Sequence, residues 1–367
     1  MEEWKEYKLG EICEILDSKR IPLSSMQRQN RQGNYPYYGA QGIIDYIDDY
    51  LFDGTYLLVA EDGNNVLAQK ENIAIIAKGK FWVNNHAHIL GYNGKCDLYL
   101  LGYILNSMDI SSYVTGTAQP KLNQQNLSNI PIILPSKDKQ SKIVSILKSL
   151  DDKIENNRKI NENLEQQAQA LFKSWFVDFE PFRGQPFVES ELGMIPEGWR
   201  VGTLGELSNI SSGKRPPLRS AQITTSSNIP LLGAADLMGY TNSYLFDKPI
   251  LVTGRVGTHG IIQRWSTPCW PSDNTLVIES DYYEYIFQIL KRIDYKNLNR
   301  GSTQPLITQS DLRNQTILIP KELEILKFEE LVGTLMKKFK ENNDETLRLS
   351  LLRDTLLPKL MSGEIKL

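Results

Sequence analysis

Residues 136–177 read SKDKQSKIVSILKSLDDKIENNRKINENLEQQAQALFKSWFV, forty-two positions without a glycine or a proline. Pro135 closes the apolar run before them, and Ser136 offers its hydroxyl to an orphan N–H as an N-cap. Ile143, Leu147, Leu150, Ile154, Asn157, Asn161, Leu164, Ala168, Leu171 and Trp175 then recur at steps of four and three. That is a heptad seam, apolar except at its middle, with Lys, Glu, Asp and Gln on the solvated faces. At 1.5 Å per residue such a helix is roughly 60 Å long. A stripe so long and narrow needs a partner helix.

The partner lies in the same chain. Phe328, Val332, Leu335, Phe339, Asn342, Thr346, Leu349, Arg353 and Leu356 follow the first nine seam positions at a constant offset of 185. Asn157 falls opposite Asn342 in this alignment, and a seam asparagine trades stability for register. The two helices are expected to pair with each other.

What surrounds the helices is also duplicated. Trp4 to Ile12 and Trp199 to Leu207 share the pattern W-x4-L-G-E-[IL]. Ser18-Lys19-Arg20-Ile21-Pro22-Leu23 is answered 195 residues on by Gly213-Lys214-Arg215-Pro216-Pro217-Leu218. Tyr35 to Ala40 is answered by Ile229 to Ala234, and Gly116-Thr117-Ala118-Gln119-Pro120 by Gly301-Ser302-Thr303-Gln304-Pro305. Ile132 to Pro135 and Ile317 to Pro320 each lead into a long helix. Between these landmarks lie short β-like runs, such as Tyr56–Ala60 and Ile250–Thr253, and helical patterns at Leu98–Met108 and Tyr282–Ile293. The expected fold is α+β: two similar globular domains joined by two long helices in an antiparallel coiled coil, an internal pseudo-twofold repeat. The expected boundaries are 1–135 for the first domain, 136–177 for the central helix, 178–195 for a linker, 196–320 for the second domain, and 321–367 for the C-terminal helix and tail. The antiparallel sense follows from that linker. Eighteen residues at ~3.3–3.6 Å each barely span the ~60 Å return that parallel helices would demand. Antiparallel pairing needs no return and sets the two domains at opposite ends of a rod.

Composition narrows the function. The net charge is −3, charged residues make up 23%, and mean hydropathy is −0.35. No apolar run approaches the ~20 residues of a membrane span, and the acidic start Met1-Glu2-Glu3 does not suit a secretory signal, so a cytoplasmic protein is expected. Cys13, Cys96 and Cys269 are scattered, without metal or disulfide spacing.

Local charge is more telling than the total. No acid occurs from Ser18 to Ile44, where Lys19, Arg20, Arg28 and Arg31 are interleaved with Gln, Asn and Tyr. None occurs from Leu207 to Ala235, around Lys214, Arg215 and Arg219, nor beside Arg255 and Arg264 between Lys248 and Ser272. Basic loops rich in amide side chains suit DNA, with Arg and Lys on phosphate or guanine and Asn and Gln on adenine. The candidate DNA-binding residues are these nine cations, with Asn84, Asn85, His86, Gln119, Lys121, Arg300 and Gln304.

No catalytic or metal site is expected. His86-Ala87-His88 finds only His259 as a further imidazole and no carboxylate cluster in the linear sequence. Asp178-Phe179-Glu180-Pro181-Phe182 superficially resembles the Asp/Asn-Pro-Pro-aromatic motif of amino-methyltransferases, but lacks its first Pro and any Gly-rich cofactor loop. A self-contained DNA methyltransferase would need both, and a purely structural coiled-coil scaffold would leave the basic loops without a role.

The chain resembles the specificity subunits of type I restriction–modification systems over essentially its whole length. The resemblance rests on Leu171-Phe172-Lys173-Ser174-Trp175-Phe176-Val177-Asp178-Phe179-Glu180-Pro181, on Met194-Ile195-Pro196-Glu197-Gly198-Trp199, and on the stretch LRDTLLPKLMSGEI from Leu352 to Ile365. It implies two target-recognition domains that each read half of a split, non-palindromic DNA site, with the helices as a spacer. It also implies two methyltransferase subunits and two restriction–translocase subunits as partners, with S-adenosylmethionine and ATP on those partners and none here. One departure is Pro358, where the first helix has Lys173, and from it an earlier break of the second helix is expected.

Overall fold

The computed structural model describes residues 4–116, 119–298 and 306–365. The chain divides into two compact units, Met1–Asn156 with Glu345–Leu367, and Asn157–Asp344. Both long helices cross that division. The first runs Lys137–Phe176 and the second Glu322–Met361, so both their starts and their ends keep the offset of 185.

In the first unit, β1 (Lys5–Lys8) pairs antiparallel with β8 (Pro131–Leu134), the strand that feeds the first long helix. A six-stranded sheet has the order β2 (Cys13–Ile15), β7 (Ala87–Tyr92), β5 (Phe52–Ala60), β6 (Ala74–Val83), β3 (Gln32–Gly39), β4 (Gly42–Ile47). Its pairs are antiparallel except β3 with β6. The helix Leu98–Ser107, capped by Asp97, lies on this sheet and buries Leu100, Leu101 and Leu105. The long helices close the same core, Ile143 and Leu147 from the first and Leu357 and Leu360 from the second.

In the second unit, β9 (Phe187–Ser190) and β10 (Gly193–Pro196) form a hairpin. β11 (Arg200–Thr203) pairs with β19 (Thr316–Ile319), which feeds the second long helix. The remaining strands are β12 (Asn209–Ser212), β13 (Ile229–Leu232), β14 (Leu237–Thr241), β15 (Ile250–Gly254), β16 (Gln263–Trp265), β17 (Trp270–Pro271) and β18 (Thr275–Glu279). They run 12-18-15-16 and 14-13-17. This is the first unit's plan, with its long β6 broken into β16 and β17. The parallel pair recurs, Tyr37 opposite Trp82 and Leu231 opposite Trp270.

The long helices are antiparallel in each unit. In the second, Phe172 and Phe176 pack on Phe328 while Asn157 meets Asn342. In the first, Asp151 accepts from Arg353 at 2.8 Å and Lys153 pairs with Glu345. Each buried aromatic side chain contributes about 1.5–3 kcal/mol. The seam drifts at its ends: Phe172, Phe176, Met336 and Leu357 are buried, whereas Leu171, Trp175, Leu335 and Leu356 are half-buried. A straight helix at 3.6 residues per turn rotates away from a 3.5 repeat, which accounts for the one-residue shift. Leu150, Ile154, Leu164, Leu349 and Phe339 are half-buried beside it, and Val332 is buried.

One expectation is corrected. The second helix does not break at Pro358 but continues to Met361, because buried Leu357 and Leu360 hold its last turn on the core. The 178–195 linker is ordered: a turn at Glu180–Phe182 and the β9–β10 hairpin bring Phe179 and Phe182 edge-on to Trp199. The Asp178–Phe182 motif is thus spent on packing.

Candidate nucleic-acid interface

In the first unit, β2 and β5 end, and β7 begins, at one edge of the sheet. Four loops leave it, carrying Lys19, Asp62, Asn85–His86 and Gln119–Lys121. Under them lies a buried ion cluster. Arg20 donates from Nη1 to Glu61 Oε2 at 2.6 Å and to the Ala87 carbonyl at 2.9 Å, and pairs with Asp17 at 3.4 Å. Lys121 Nζ meets Glu61 at 3.0 Å. His88, 1% exposed, lies 2.5 Å from Asp17 through Nδ1 and 2.7 Å from the Leu122 carbonyl through Nε2. Burial works to raise the Asp17 carboxyl, but the hydrogen bond with His88, the Ile89 N–H and Arg20 hold it below its ordinary range. Glu61 is likewise raised by burial and brought below its ordinary range by Arg20 and Lys121.

Asp17, Glu61 and His88 bring three ligand-type atoms within 4.8 Å of one another, which corrects the linear reading that His88 has no carboxylates near it. The donor set does not suit a cation. A carbonyl only accepts, so Nε2 carries hydrogen, and Nδ1 is committed to Asp17. Arg20 and Lys121 already supply the positive charge.

The structure separates the sixteen expected DNA contacts into groups. Lys19, Asn85, His86, Gln119 and Lys121 in the first unit, and Lys214, Arg215 and Arg219 in the second, are exposed on loops. Arg255 is half-buried at the matching edge of the second unit, and meets no carboxylate among the described residues. Arg300 and Gln304 lie outside the described residues. The others turn inward. Arg20 is neutralised as above. Arg28 pairs with Asp45 and stacks on Tyr37 at 5.1 Å, and Arg31 pairs with Asp48 and covers Trp82 at 5.0 Å. Asn84 is 7% exposed and accepts the His86 N–H. Arg264 lies on β16 against Phe287, Glu284 and Glu165 of the first long helix, away from the loops. Stretches without acids in the sequence therefore acquire them in space, from flanking turns, neighbouring strands and helices.

The edges of the two units match bond for bond. Glu61 N–H donates to His86 and Arg255 N–H to Asn274; Leu122 N–H donates to Glu61 and Ile307 N–H to Arg255; Asn84 N–H donates to Tyr38 and Ser272 N–H to Leu232. At equivalent backbone, then, Glu61 is replaced by Arg255 and His88 by Leu276, so the cluster is built into one unit alone. Sequence reading missed Asp17, Glu61 and His88 as its core. It also missed Trp82 and Trp270, whose indoles donate to the carbonyls of Ile21 at 2.6 Å and Lys214 at 2.8 Å, inside the two basic loops. A recurring Trp after each copy's apolar strand was the available signal.

The family model for the type I restriction modification DNA specificity domain matches residues 1–166 and 196–348. The chain belongs to this family. Its two matched ranges are the two copies of the repeat, each with much of its long helix. The type I restriction enzyme MjaIX specificity subunit of Methanocaldococcus jannaschii is 28% identical, over 99% of this chain and 96% of that one. The HindI specificity subunit of Haemophilus influenzae is 23% identical over the full length of both. The crystal structure of a type I restriction–modification S subunit from M. genitalium aligns with 98% of this chain and 96% of its own at a TM-score of 0.62 and 19% identity, a likeness of fold. Among the described residues no helix is long and apolar enough to cross a membrane.

Proposed function

We propose that this chain is the DNA-specificity subunit of a type I restriction–modification system. Each recognition domain reads one half of a bipartite, non-palindromic site, and the paired helices set the unread gap. The observation that carries this reading is the repeated sheet edge. The same hydrogen-bonded frame presents two different loop sets, which suits two readers of two different sequences. The chain contributes no catalysis of its own. Methylation and cleavage fall to two methyltransferase and two restriction–translocase subunits, which bring S-adenosylmethionine and ATP, and the complex works in the cytoplasm. Methylome sequencing of a host with and without the gene is the test. Loss of N6-methyladenine at one split motif supports the reading; an unchanged methylome, with the partner subunits expressed, overturns it.

A further inference from the structure

Trp82 and Trp270 hold the same place in the two recognition domains. Each closes the parallel strand pair of its domain, and each gives its indole N–H to one carbonyl of the basic loop. The residue so held differs: Ile21 in the first domain, Lys214 in the second. Linear matching at the offset of 195 sets Lys214 against Lys19. In space the first loop makes an extra helical turn at Asp17–Lys19, so the residue standing at Lys214's place is Ile21.

Both held residues have fixed backbones and free side chains. Lys214 N–H donates to the Pro271 carbonyl at 3.0 Å while its own carbonyl accepts from Trp270. The first loop is pinned a second time where Leu23 N–H donates to Tyr37 Oη at 2.8 Å. Ile21 is 50% exposed, on a loop whose Arg20 is turned into the ion cluster beneath. An aliphatic side chain left half in solvent on a held backbone gains little for the fold. On a DNA-facing loop it cannot read donors or acceptors. The feature of a base edge it can take up is the 5-methyl group of thymine in the major groove.

Resting on the specificity-subunit reading, we propose that Ile21 is a specificity-determining residue that packs on a thymine 5-methyl in the first domain's half-site, while Lys214 offers an ammonium at the same place in the second. Asn84 lies two residues beyond Trp82 but is buried, whereas Ile21 is exposed beside Lys19, Asn85 and His86.

The test uses the full chain assembled with its methyltransferase subunits, on duplexes carrying the motif found by methylome sequencing. Each thymine of the first half-site is replaced in turn by deoxyuridine, which removes only the methyl. Wild type should lose about three- to tenfold in affinity at one such position. Ile21→Ala should lose about as much on the thymine duplex and be indifferent to the replacement. Trp82→Phe, which removes the indole N–H that holds the loop while keeping an aromatic ring in the core, should also lose the discrimination. Additive losses, no loss at any thymine, or a first half-site without thymine would overturn the proposal while leaving the subunit reading intact. Absence of any sequence-dependent binding by wild type overturns both.

Discussion

The side-chain amide of Asn342 donates to Oδ1 of Asn161 at 2.9 Å, in the middle of a largely apolar helix seam. Asn161 returns the bond to the second helix, donating to the Phe339 carbonyl at 3.2 Å and to Asn343 at 2.8 Å, and Asn157 reaches the Asn342 carbonyl. Asn157 and Asn342 are repeat equivalents, so the polar break in one helix lands on its own copy in the other. Replacing Asn342 with Leu should lower stability by about 1–3 kcal/mol, because the buried Oδ1 of Asn161 loses its donor. Replacing Asn157, Asn161 and Asn342 together should recover that loss but admit other registers. Chemical denaturation, with cysteine cross-linking to report register, would check both.

The two units should respond oppositely to pH. Glu329 caps the helix Tyr283–Leu290 by accepting the N–H groups of Tyr285 at 2.7 Å and Glu284 at 3.1 Å. Burial pushes its carboxyl up to about 7, with Glu284 adding to the rise. A raised folded value means that the proton stabilises the fold. That contribution is complete below the ordinary glutamate range and is lost as pH rises through about 7. Glu329→Gln keeps an acceptor for the helix end and should flatten the loss, which is on the order of 2–3 kcal/mol. Asp17 and Glu61 are held low, so their contribution is present above the ordinary carboxylate range and lost as pH falls through it. Thermal melts between about pH 3 and pH 8, buffered in roughly unit steps, should show the first unit failing on the acid side.

Lys214→Ala with Arg215→Ala should weaken binding at the second half-site and reduce the salt slope by about one unit for each phosphate no longer neutralised. Both side chains are exposed, and neither meets a carboxylate among the described residues, so melting should be unaffected. An unchanged salt slope would mean that these loops are only solvated.

Exchanging residues 196–320 for the matching segment of a relative should change one half of the methylated motif and leave the other. The β11–β19 pair and the packing of Trp199 on Phe176 mark what the graft must keep. A motif altered in both halves would contradict independent readers.

The duplication and the helices were legible because the offset of 185 acts on a seam whose spacing is local chemistry. Both helices start and stop where that offset puts them. The charge of the loops was not legible. Glu61 reaches Arg20 only once strands distant in sequence pair, and Asp45 reaches Arg28 only once the β3–β4 hairpin folds back on the loop. Nor could linear alignment see that the turn at Asp17–Lys19 displaces one basic loop against the other. Asn84 reads as a base contact by residue type alone, yet its side chain braces its own turn.

The core of the first unit begins at Leu9 and is closed by Leu357 and Leu360, whereas the second unit is one unbroken stretch, Asn157–Asp344. The part of the chain made first therefore depends on the part made last. The domain made first must wait, with Ile143 and Leu147 uncovered, until the last turns of the second helix are translated. The domain made second can complete itself before then. A chain truncated just after Asp344 should resist protease in its second half and yield in its first, with the uncovered core of the first half open to aggregation.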